Sequence, residues 1–405
     1  MTTVMTTADR PAVLGGVPLF PRGLPLVRPA LGDEPELLAR FAGILSSGSL
    51  TNGPTVRELE EAVASRLGVA HVVAVASCTS GLALTLQALD ARGPVVMPSF
   101  TFAASAHAVV WAGGTPVFAD VREDSLTLDP SAAAQAFADL PSGATAMTAT
   151  HVYGTPCHTE ELQSLAESVG VPLVYDAAHG LGSVHNGCPV GNFGAAEVFS
   201  LSPTKVVVAG EGGLVATNDA GLAQTIRLGR DYGNPGDYNC IFPGLNARMS
   251  ELHAATALHS LARLDQHLVR RRELVDLFWR ELDGVSGLRG PRVQPGDVST
   301  YKDLTLVVDH EVCGLTASEL GRALAMEGID SRRYYYPPIH RQRAYDDLPR
   351  RDLPVTDRLS QDVLSPPLWS QMHDDQIISV ACAIRRTIGA AEAVRAALES
   401  GEQTS

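Results

Sequence analysis

The sequence predicts an α/β protein in which a mostly parallel sheet lies between two layers of helices, followed by a smaller C-terminal α+β domain. Between residues 72 and 217 short apolar runs alternate with helical stretches. This alternation is typical of strands joined by crossover helices. After Gly290 the order changes to strand, helix, strand and helix. We therefore expect a three-layer sandwich with a second, smaller unit behind it.

The order of apolar and turn-forming residues gives the individual elements. Short runs of three to six residues that are mostly apolar predict strands, and the longer stretches opened or closed by Gly, Pro, Ser or Thr predict helices. The predicted strands are 72–75, 95–97, 116–119, 144–149, 173–175, 197–200, 213–217, 304–308 and 331–335. The predicted helices are 81–91, 105–111, 130–138, 159–168, 316–327 and a terminal helix after Asp374.

A chain of 405 residues is long enough for two domains. We expect an N-terminal arm at residues 1–30, a large domain at 31–286 and a small C-terminal domain at 287–405. The large domain ends in one long connecting helix at 250–282, because apolar residues recur there once per helical turn. The arginines at 270–272 are predicted to form the solvent-facing side of that helix.

Charge and composition exclude several classes of protein. The formal net charge is −14 and the basic residues are scattered, so we expect no nucleic-acid partner. No stretch approaches the roughly 20 apolar residues of a membrane span, and residues 1–10 lack a signal-peptide core. These features predict a cytoplasmic protein that does not bind membranes. The six cysteines are widely spaced and lack histidines at zinc spacing, so we expect reduced thiols and no metal.

Three segments carry residues suited to chemistry, each at the end of a predicted strand. In residues 75–81 small hydroxyl residues precede a helix, so Thr79, Ser80 and the free amides there suit a phosphate. A capped helix start without a ligand explains the same residues. Asp176 follows a buried strand at the edge where open α/β sheets bind ligands. Its carboxylate suits a protonated ring nitrogen, a ribose hydroxyl or the cap of the next turn.

Lys205 follows the third of these strands and precedes a glycine turn at 210–213. A lysine is usually a surface residue, but its valine and hydroxyl neighbours favour a partly desolvated amine. Desolvation lowers the pKa of an amine and frees its lone pair for Schiff-base formation. Phe102 follows another strand end and suits either the face of a bound ring or the core.

Together these residues match the needs of pyridoxal 5'-phosphate. This cofactor requires a phosphate cup, a flat partner for its ring, an anion opposite its pyridine nitrogen and an amine for its aldehyde. Asp176 supplies the anion, Lys205 the amine and Phe102 the flat partner. We therefore predict a pyridoxal-phosphate enzyme with Lys205 and Asp176 as its catalytic residues.

From about residue 31 to residue 386 the sequence resembles the fold-type I sugar aminotransferases called the DegT family. The segments that carry the resemblance are 50–54, 97–102, 151–154, 176–179, 200–205, 210–213 and 244–249. The resemblance implies that Lys205 holds the cofactor and moves a proton, and that Asp176 binds the pyridine nitrogen. It also implies that His179 lies beside the 3-oxygen of the ring, with a structural histidine as the alternative.

The resemblance further implies how the phosphate is held and how the chains assemble. Thr79, Ser80 and Ser200 match the phosphate-binding positions of the family, and Asn246 matches an asparagine that reaches the phosphate from the neighbouring subunit. We therefore expect a homodimer with shared active sites. Ser202 and Cys78 depart from the common pattern. Relatives with histidine in place of the lysine act as dehydratases, and Lys205 argues against that activity.

The resemblance also implies the reaction, which is transfer of an amino group from L-glutamate to a nucleotide-linked keto sugar, with pyridoxamine 5'-phosphate as the intermediate cofactor form. Segments 14–18, 49–54 and 95–104 are most similar to enzymes that aminate dTDP-4-keto-6-deoxyglucose in deoxyamino-sugar pathways of secondary metabolism such as antibiotic biosynthesis. Amination at C3 of a related nucleotide sugar, or of a cyclitol ketone, is the alternative.

A diphosphate substrate requires positive charge, and the sequence offers several basic candidates. Residues 332–340 combine arginine and aromatic side chains that suit phosphates and a thymine ring, although a polar strand edge explains them equally. The predicted substrate-binding residues are Thr51, Arg248, Arg333, Tyr334 and His340. Further basic candidates are Arg230, Lys302 and Arg332.

Two other classes of function compete with transamination. A regulator or scaffold that binds the cofactor without catalysis is disfavoured because both Lys205 and Asp176 are present. A nicotinamide dehydrogenase is disfavoured because no G-x-G-x-x-G follows the first predicted strand.

Overall fold

The computed structural model describes residues 10–32 and 34–402. Residues 1–9 of the predicted N-terminal arm lie outside the described residues. The strands are β1 (His71–Val75), β2 (Pro94–Pro98), β3 (Thr115–Ala119), β4 (Ala146–Thr150), β5 (Leu173–Asp176), β6 (Val184–His185), β7 (Cys188–Pro189), β8 (Ala196–Ser200), β9 (Gly213–Thr217), β10 (Leu288–Arg289), β11 (Leu306–Val308) and β12 (Val363–Leu364).

The helices accompany these strands along the chain. They are α1 (Glu34–Ser47), α2 (Pro54–Leu67), α3 (Cys78–Ala88), α4 (Ala103–Trp111), α5 (Pro130–Ala138), α6 (Thr159–Val169), α7 (Ala220–Gly229), α8 (Glu251–Leu261), α9 (Leu264–Glu281), α10 (His310–Cys313), α11 (Ala317–Met326), α12 (Pro354–Asp362), α13 (Asp374–Gly389) and α14 (Ala391–Glu402).

A seven-stranded sheet forms the centre of the molecule, in the order β1-β9-β8-β5-β4-β2-β3. Strands β8, β5, β4, β2 and β3 run parallel, and β9 runs antiparallel to both of its neighbours. Strand β5 lies near the middle, with Asp176 paired to Val198 of β8. The carboxyl ends of the parallel strands therefore meet at one edge of the sheet, where β5 ends in a carboxylate.

Both faces of this sheet are covered by helices. Alternate residues of a strand point to opposite faces, and Val73 and Val75 belong to one apolar cluster with α3 and α4. Val72 and Ala74 belong to another cluster with α2. A third cluster joins β4 and β5 to α5 and α6. This three-layer arrangement confirms the predicted α/β class.

The predicted long helix at 250–282 is wrong, because the chain forms two helices. Helix α8 ends at Leu261 and α9 begins at Leu264, with Arg263 outside helical geometry. Leu264 and Leu268 still pack against the central sheet cluster. Further along α9, Leu274 and Phe278 pack in a different cluster with the C-terminal elements. Helix α9 therefore contributes to both cores, whereas α8 contributes to the first of them.

The prediction that residues 270–272 form a solvent face is wrong for Arg271, which is buried. Its guanidinium donates hydrogen bonds to the backbone carbonyls of Tyr301 (3.1 Å) and Lys302 (2.8 Å). Carbonyl oxygens thus satisfy a buried cation that would otherwise be costly to desolvate. Burial lowers the pKa of Arg271 to about 10.

The C-terminal part of the chain contains a second sheet, which is antiparallel and consists of strands β10, β11 and β12. Leu306 of β11, Leu320 of α11 and Ile377 of α13 share one apolar cluster. Leu24 and residues of α9 belong to the same cluster. The boundaries at residues 30 and 286 remain predictions.

The predicted strand at 331–335 is wrong. Arg332 makes one isolated bridge with Ser365. The chain then turns, since the Tyr336 N–H donates to the Arg333 carbonyl (2.8 Å). This turn brings the tyrosines at 334 and 335 to the edge of the central sheet. Among the described residues, no helix has the length and apolar character required to cross a membrane.

Candidate active site

A cavity of about 340 Å³ lies at the carboxyl edge of the central sheet. It is bordered by the end of β5, the segment after β8, the start of α3 and a C-terminal segment. Seven of the residues predicted for the site border it: Thr79, Phe102, Asp176, His179, Ser200, Lys205 and Tyr334. The topology therefore brings together side chains that lie up to 255 positions apart in the chain, from 79 to 334.

Asp176 is buried at the end of β5, with only 4 % of its surface exposed. Its Oδ2 accepts a hydrogen bond from the Ser105 hydroxyl (2.6 Å), and its Oδ1 accepts one from the Ala178 N–H (3.0 Å). The hydrogen bond from Ala178 caps the turn after β5, which is one of the roles that the sequence leaves open for Asp176. The carboxylate therefore caps the turn and also borders the cavity.

A row of hydroxyl groups behind Asp176 was not found from the sequence. Thr150 donates to Thr101 (3.0 Å), which shares a hydrogen bond with Ser105 (2.9 Å). Such chains polarise one another in a low dielectric. Ser105 lies 71 residues from Asp176 and on another element. The only signal in the sequence that could have identified Ser105 is its position in the first helical turn after a strand end.

Lys205 lies half-buried in the turn after β8, where its backbone N–H donates to the Ser202 carbonyl (3.0 Å). Burial is the largest cause that lowers the pKa of its amine, to about 8, and the Lys302 ammonium adds to the effect. Asp303, Cys78 and Asp176 act in the opposite direction. Above about pH 8 the uncharged amine predominates, and it is the form that reacts with an aldehyde.

The start of α3 lies against the same cavity. Ser77 caps the helix by accepting from the Ser80 N–H (3.1 Å), and the Ser80 hydroxyl donates to the Ser77 carbonyl (2.8 Å). A capped helix start therefore explains Ser80, whose hydroxyl faces the cap. Thr79 borders the cavity. The first amides of a helix have no partner within it and suit an anion.

His179 is buried, and its hydrogen bonds fix its ring. Nδ1 accepts from the Tyr153 N–H (3.1 Å), and the His179 carbonyl accepts from the Thr300 hydroxyl (2.7 Å). Burial and repulsion by Lys205 and Lys302 hold the pKa of the imidazole well below its ordinary value. The neutral ring therefore carries its proton on Nε2, which is free to donate to a ligand.

Phe102 and Ser200 complete the predicted cofactor contacts on this chain. Phe102 is 60 % exposed and borders the cavity, which rules out the alternative that it is a core aromatic. Ser200 is buried at the end of β8.

Six of the predicted residues do not border the cavity: Ser80, Thr51, Asn246, Arg248, Arg333 and His340. Asn246 and Thr51 are exposed, and the Thr51 hydroxyl donates to the Met249 carbonyl (3.1 Å). Arg248 forms an ion pair with Asp231 and lies over the Tyr232 ring. His340 packs beneath the sheet edge, where Nδ1 bonds to the Ser99 hydroxyl (2.7 Å) and Nε2 pairs with Asp357 (3.1 Å).

The other basic candidates also have internal partners. Arg230 is buried and bonds to Glu60 (2.5 Å) and to the Ala74 carbonyl (2.6 Å), away from the cavity. Lys302 does border the cavity, in a buried ion pair with Asp303 (2.8 Å). No motif or spacing in the sequence identifies Asp303 as a site residue.

Arg333 and Tyr334 border a second, wider cavity of about 630 Å³. It shares Thr101, Phe102, Tyr334 and Tyr335 with the first cavity. The two cavities therefore adjoin along this wall.

The mostly parallel sheet, with Asp176 and Lys205 at its carboxyl edge, agrees with the fold of the fold-type I pyridoxal-phosphate enzymes. Comparison with known proteins agrees, because residues 32–385 match the DegT/DnrJ/EryC1/StrS aminotransferase family. The chain belongs to this family. It is a pyridoxal-phosphate-dependent aminotransferase, which confirms the predicted class of enzyme and cofactor.

Individual relatives span nearly the whole chain. The dTDP-4-amino-4,6-dideoxy-D-glucose transaminase of Escherichia coli is 29 % identical, over 88 % of this chain and 96 % of the relative. The UDP-N-acetyl-3-dehydro-alpha-D-glucosamine 3-aminotransferase of Acidithiobacillus ferrooxidans is 33 % identical, over 87 % of this chain and 94 % of the relative. The crystal structure of DesI in the presence of its TDP-sugar product superposes with a TM-score of 0.90, at 35 % identity, over 99 % of this chain and 100 % of DesI.

Proposed function

We propose that the protein transfers an amino group from L-glutamate to a nucleotide-linked keto sugar, dTDP-4-keto-6-deoxyglucose, in deoxyamino-sugar biosynthesis. The observation that carries the proposal is the 630 Å³ cavity adjoining the one that holds Lys205. An amino acid alone does not need this space. A nucleotide sugar places its sugar beside the amine and extends its diphosphate and base outward.

The wall of the wider cavity suits such a substrate. The Arg333 guanidinium lies over the Tyr336 ring, 3.8 Å from its centroid, and donates to the carbonyls of Ser360 and Gln361. Arginine suits phosphate oxygens and aromatic rings suit bases. The names of the Escherichia coli relative and of the DesI complex support a sugar linked to a thymidine nucleotide.

The residues present fit the cofactor. The acidic group, the amine, the hydroxyls and the free helix amides all border one cavity. When bound, the cofactor supplies an electron sink that stabilises negative charge at the amino carbon. We propose that Thr79, Ser200 and the first amides of α3 hold the phosphate and that Phe102 lies against the ring.

The remaining residues control charge and protons. Asp176 would keep the ring nitrogen protonated, and the Ser105 and Ala178 donors stabilise its carboxylate. The Nε2–H of His179 would donate to the 3-oxygen. The Lys205 amine would hold the cofactor aldehyde and, in its uncharged form, would accept and return the proton of the amino carbon.

Amination at C3 is the second candidate, because a relative of similar identity is named a 3-aminotransferase. Cyclitol ketones are a further alternative. A protein that binds the cofactor without catalysis is disfavoured, since both Lys205 and Asp176 border the cavity.

Turnover of defined ketones tests the proposal. We expect the cofactor-loaded enzyme with L-glutamate to convert dTDP-4-keto-6-deoxyglucose and to release 2-oxoglutarate, because the wider cavity accepts the nucleotide. Product mass and 2-oxoglutarate are measured for this sugar, for 3-keto nucleotide sugars and for cyclitol ketones. If a 3-keto nucleotide sugar or a cyclitol ketone is converted faster, that ketone is the substrate and the proposed one is wrong. No turnover of any of these ketones would refute the proposed class of substrate.

We also propose a homodimer in which Asn246 reaches the cofactor phosphate of the partner subunit. Three exposed apolar side chains precede Asn246 in the chain: Tyr238 (92 % exposed), Ile241 (61 %) and Leu245 (41 %). Such a patch is typical of an interaction surface. Arg248 follows Asn246 by two residues, and the Thr51 hydroxyl donates to the carbonyl of the adjacent Met249; we propose that both contact the partner's substrate.

Mixed dimers test this arrangement. We expect Asn246→Ala to weaken cofactor retention and Lys205→Ala to inactivate its own site. Coexpression of the two variants should restore about a quarter of the wild-type activity, because a hybrid dimer then holds one intact site. The separate variants, mixed only in the assay, are the control. Activity of the coexpressed pair no higher than that control would show that Asn246 serves its own chain.

A further inference from the structure

A second buried lysine borders the catalytic cavity beside Lys205. The ammonium of Lys302 forms an ion pair with Asp303 at 2.8 Å, and both side chains are only 4 % exposed. The other oxygen of Asp303, Oδ2, is buried and has no hydrogen-bond partner. Buried ion pairs recover their desolvation cost poorly. This incomplete pair is therefore an expensive arrangement for fold stability alone.

The backbone around Lys302 is fixed from several directions. Its N–H donates to the Tyr153 carbonyl (2.9 Å), and its carbonyl accepts from the buried Arg271 guanidinium (2.8 Å). Two residues earlier in the chain, the Thr300 hydroxyl donates to the His179 carbonyl (2.7 Å). The ammonium lies 5.3 Å from the centroid of the Tyr334 ring. The charge of Lys302 is thus held at a set place in the cavity wall.

The charged and titratable groups that face Lys205 come from several elements. Acidic groups come from β5, from the glycine turn after β8 and from residue 303, and a thiol comes from the start of α3. Besides burial, it is the positively charged Lys302 that lowers the pKa of Lys205. His179 is neutral, because its pKa lies well below the ordinary value. The full set bordering the cavity is Cys78, Asp176, His179, Glu211, Lys302, Asp303, Tyr334 and Tyr335.

We propose that Lys302 is a positioning residue whose fixed positive charge, anchored by Asp303, keeps the Lys205 amine uncharged and ready to bind the cofactor aldehyde and to carry protons. This inference rests on the proposed role of Lys205. Like charges in a low dielectric disfavour each other. Lys302 is paired with Asp303 at 2.8 Å, and the Lys205 amine borders the same cavity. The direction agrees with the low pKa of Lys205.

Labelling of Lys205 as a function of pH tests the proposal without an activity assay. Cofactor-free protein is mixed with pyridoxal phosphate at a series of pH values and reduced with borohydride. The labelled peptide that contains Lys205 is then quantified by mass spectrometry. We expect a wild-type midpoint near pH 8, and a higher midpoint in Lys302→Met and Lys302→Gln. A rise of one pH unit lowers the uncharged fraction at pH 8 about fivefold.

Lys302→Arg is the matched control, because it keeps the charge and changes the geometry of the pair. A charge effect predicts a midpoint close to wild type for this variant, whereas a packing effect predicts a change as large as in Lys302→Met. An unchanged midpoint in Lys302→Met and Lys302→Gln, or equal shifts in all variants, would overturn the inference. Absence of label at Lys205 in the wild type would instead refute the proposed function.

Discussion

Lys205→Ala is expected to lose covalent attachment of pyridoxal phosphate and to slow amino transfer by about 10⁴-fold or more. Lys205 is the cavity residue whose amine has a pKa of about 8, and Lys302 is engaged with Asp303. The variant therefore lacks both the anchor for the aldehyde and the base that moves the proton. The absorption spectrum of the purified protein and the rate with L-glutamate measure the two losses.

Two controls separate chemistry from folding. Lys205→Arg keeps a positive charge but supplies no reactive amine, so we expect it to be as inactive as Lys205→Ala. An added small primary amine should restore part of the rate to Lys205→Ala, because it can occupy the space of the side chain and carry the proton. If borohydride still links the cofactor to Lys205→Ala, another lysine holds it and the assignment is wrong.

The fold was largely predictable because its signals are local. The runs at 213–217 and 130–138 coincide with β9 and α5, since each is bounded by a glycine, proline or aspartate at the point where it starts. The interruption between α8 and α9 was not predictable. Leucines recur without a gap across Arg263, and only the position of the second core shows why the chain turns there.

The active site also has residues that the sequence predicts and residues that it does not. Asp176 and Lys205 each follow a buried strand, so the meeting of strand ends at one edge predicts their proximity. The partners that tune them come from distant segments: Ser105 from α4 and Asp303 from the C-terminal part of the chain. Arg271 was misjudged for the same reason, because the carbonyls that receive it belong to residues 301, 302 and 368. Local sequence does not encode such contacts.

Asp176→Asn is expected to keep the fold and to slow both half-reactions by about 10² to 10³-fold. Both half-reactions need negative charge to be withdrawn from the amino carbon, and an amide does not hold a proton on the ring nitrogen. Single-turnover rates with L-glutamate and with the keto sugar should therefore fall together. Asp176→Ala should behave alike and lose the cap to Ala178 as well.

Ser105→Ala is the graded control, because it removes one donor to Asp176 and leaves the carboxylate in place. We expect a loss of about tenfold, as for one hydrogen bond to a charged group. A cofactor analogue methylated on the ring nitrogen carries a permanent positive charge, so it should recover part of the rate of Asp176→Ala. If the carboxylate only caps the turn after β5, Asp176→Ala will lower the unfolding temperature, its half-reaction rates will equal those of wild type, and the analogue will bring no gain. That result would remove Asp176 from the chemistry and leave the protonation of the ring nitrogen without a source on this chain.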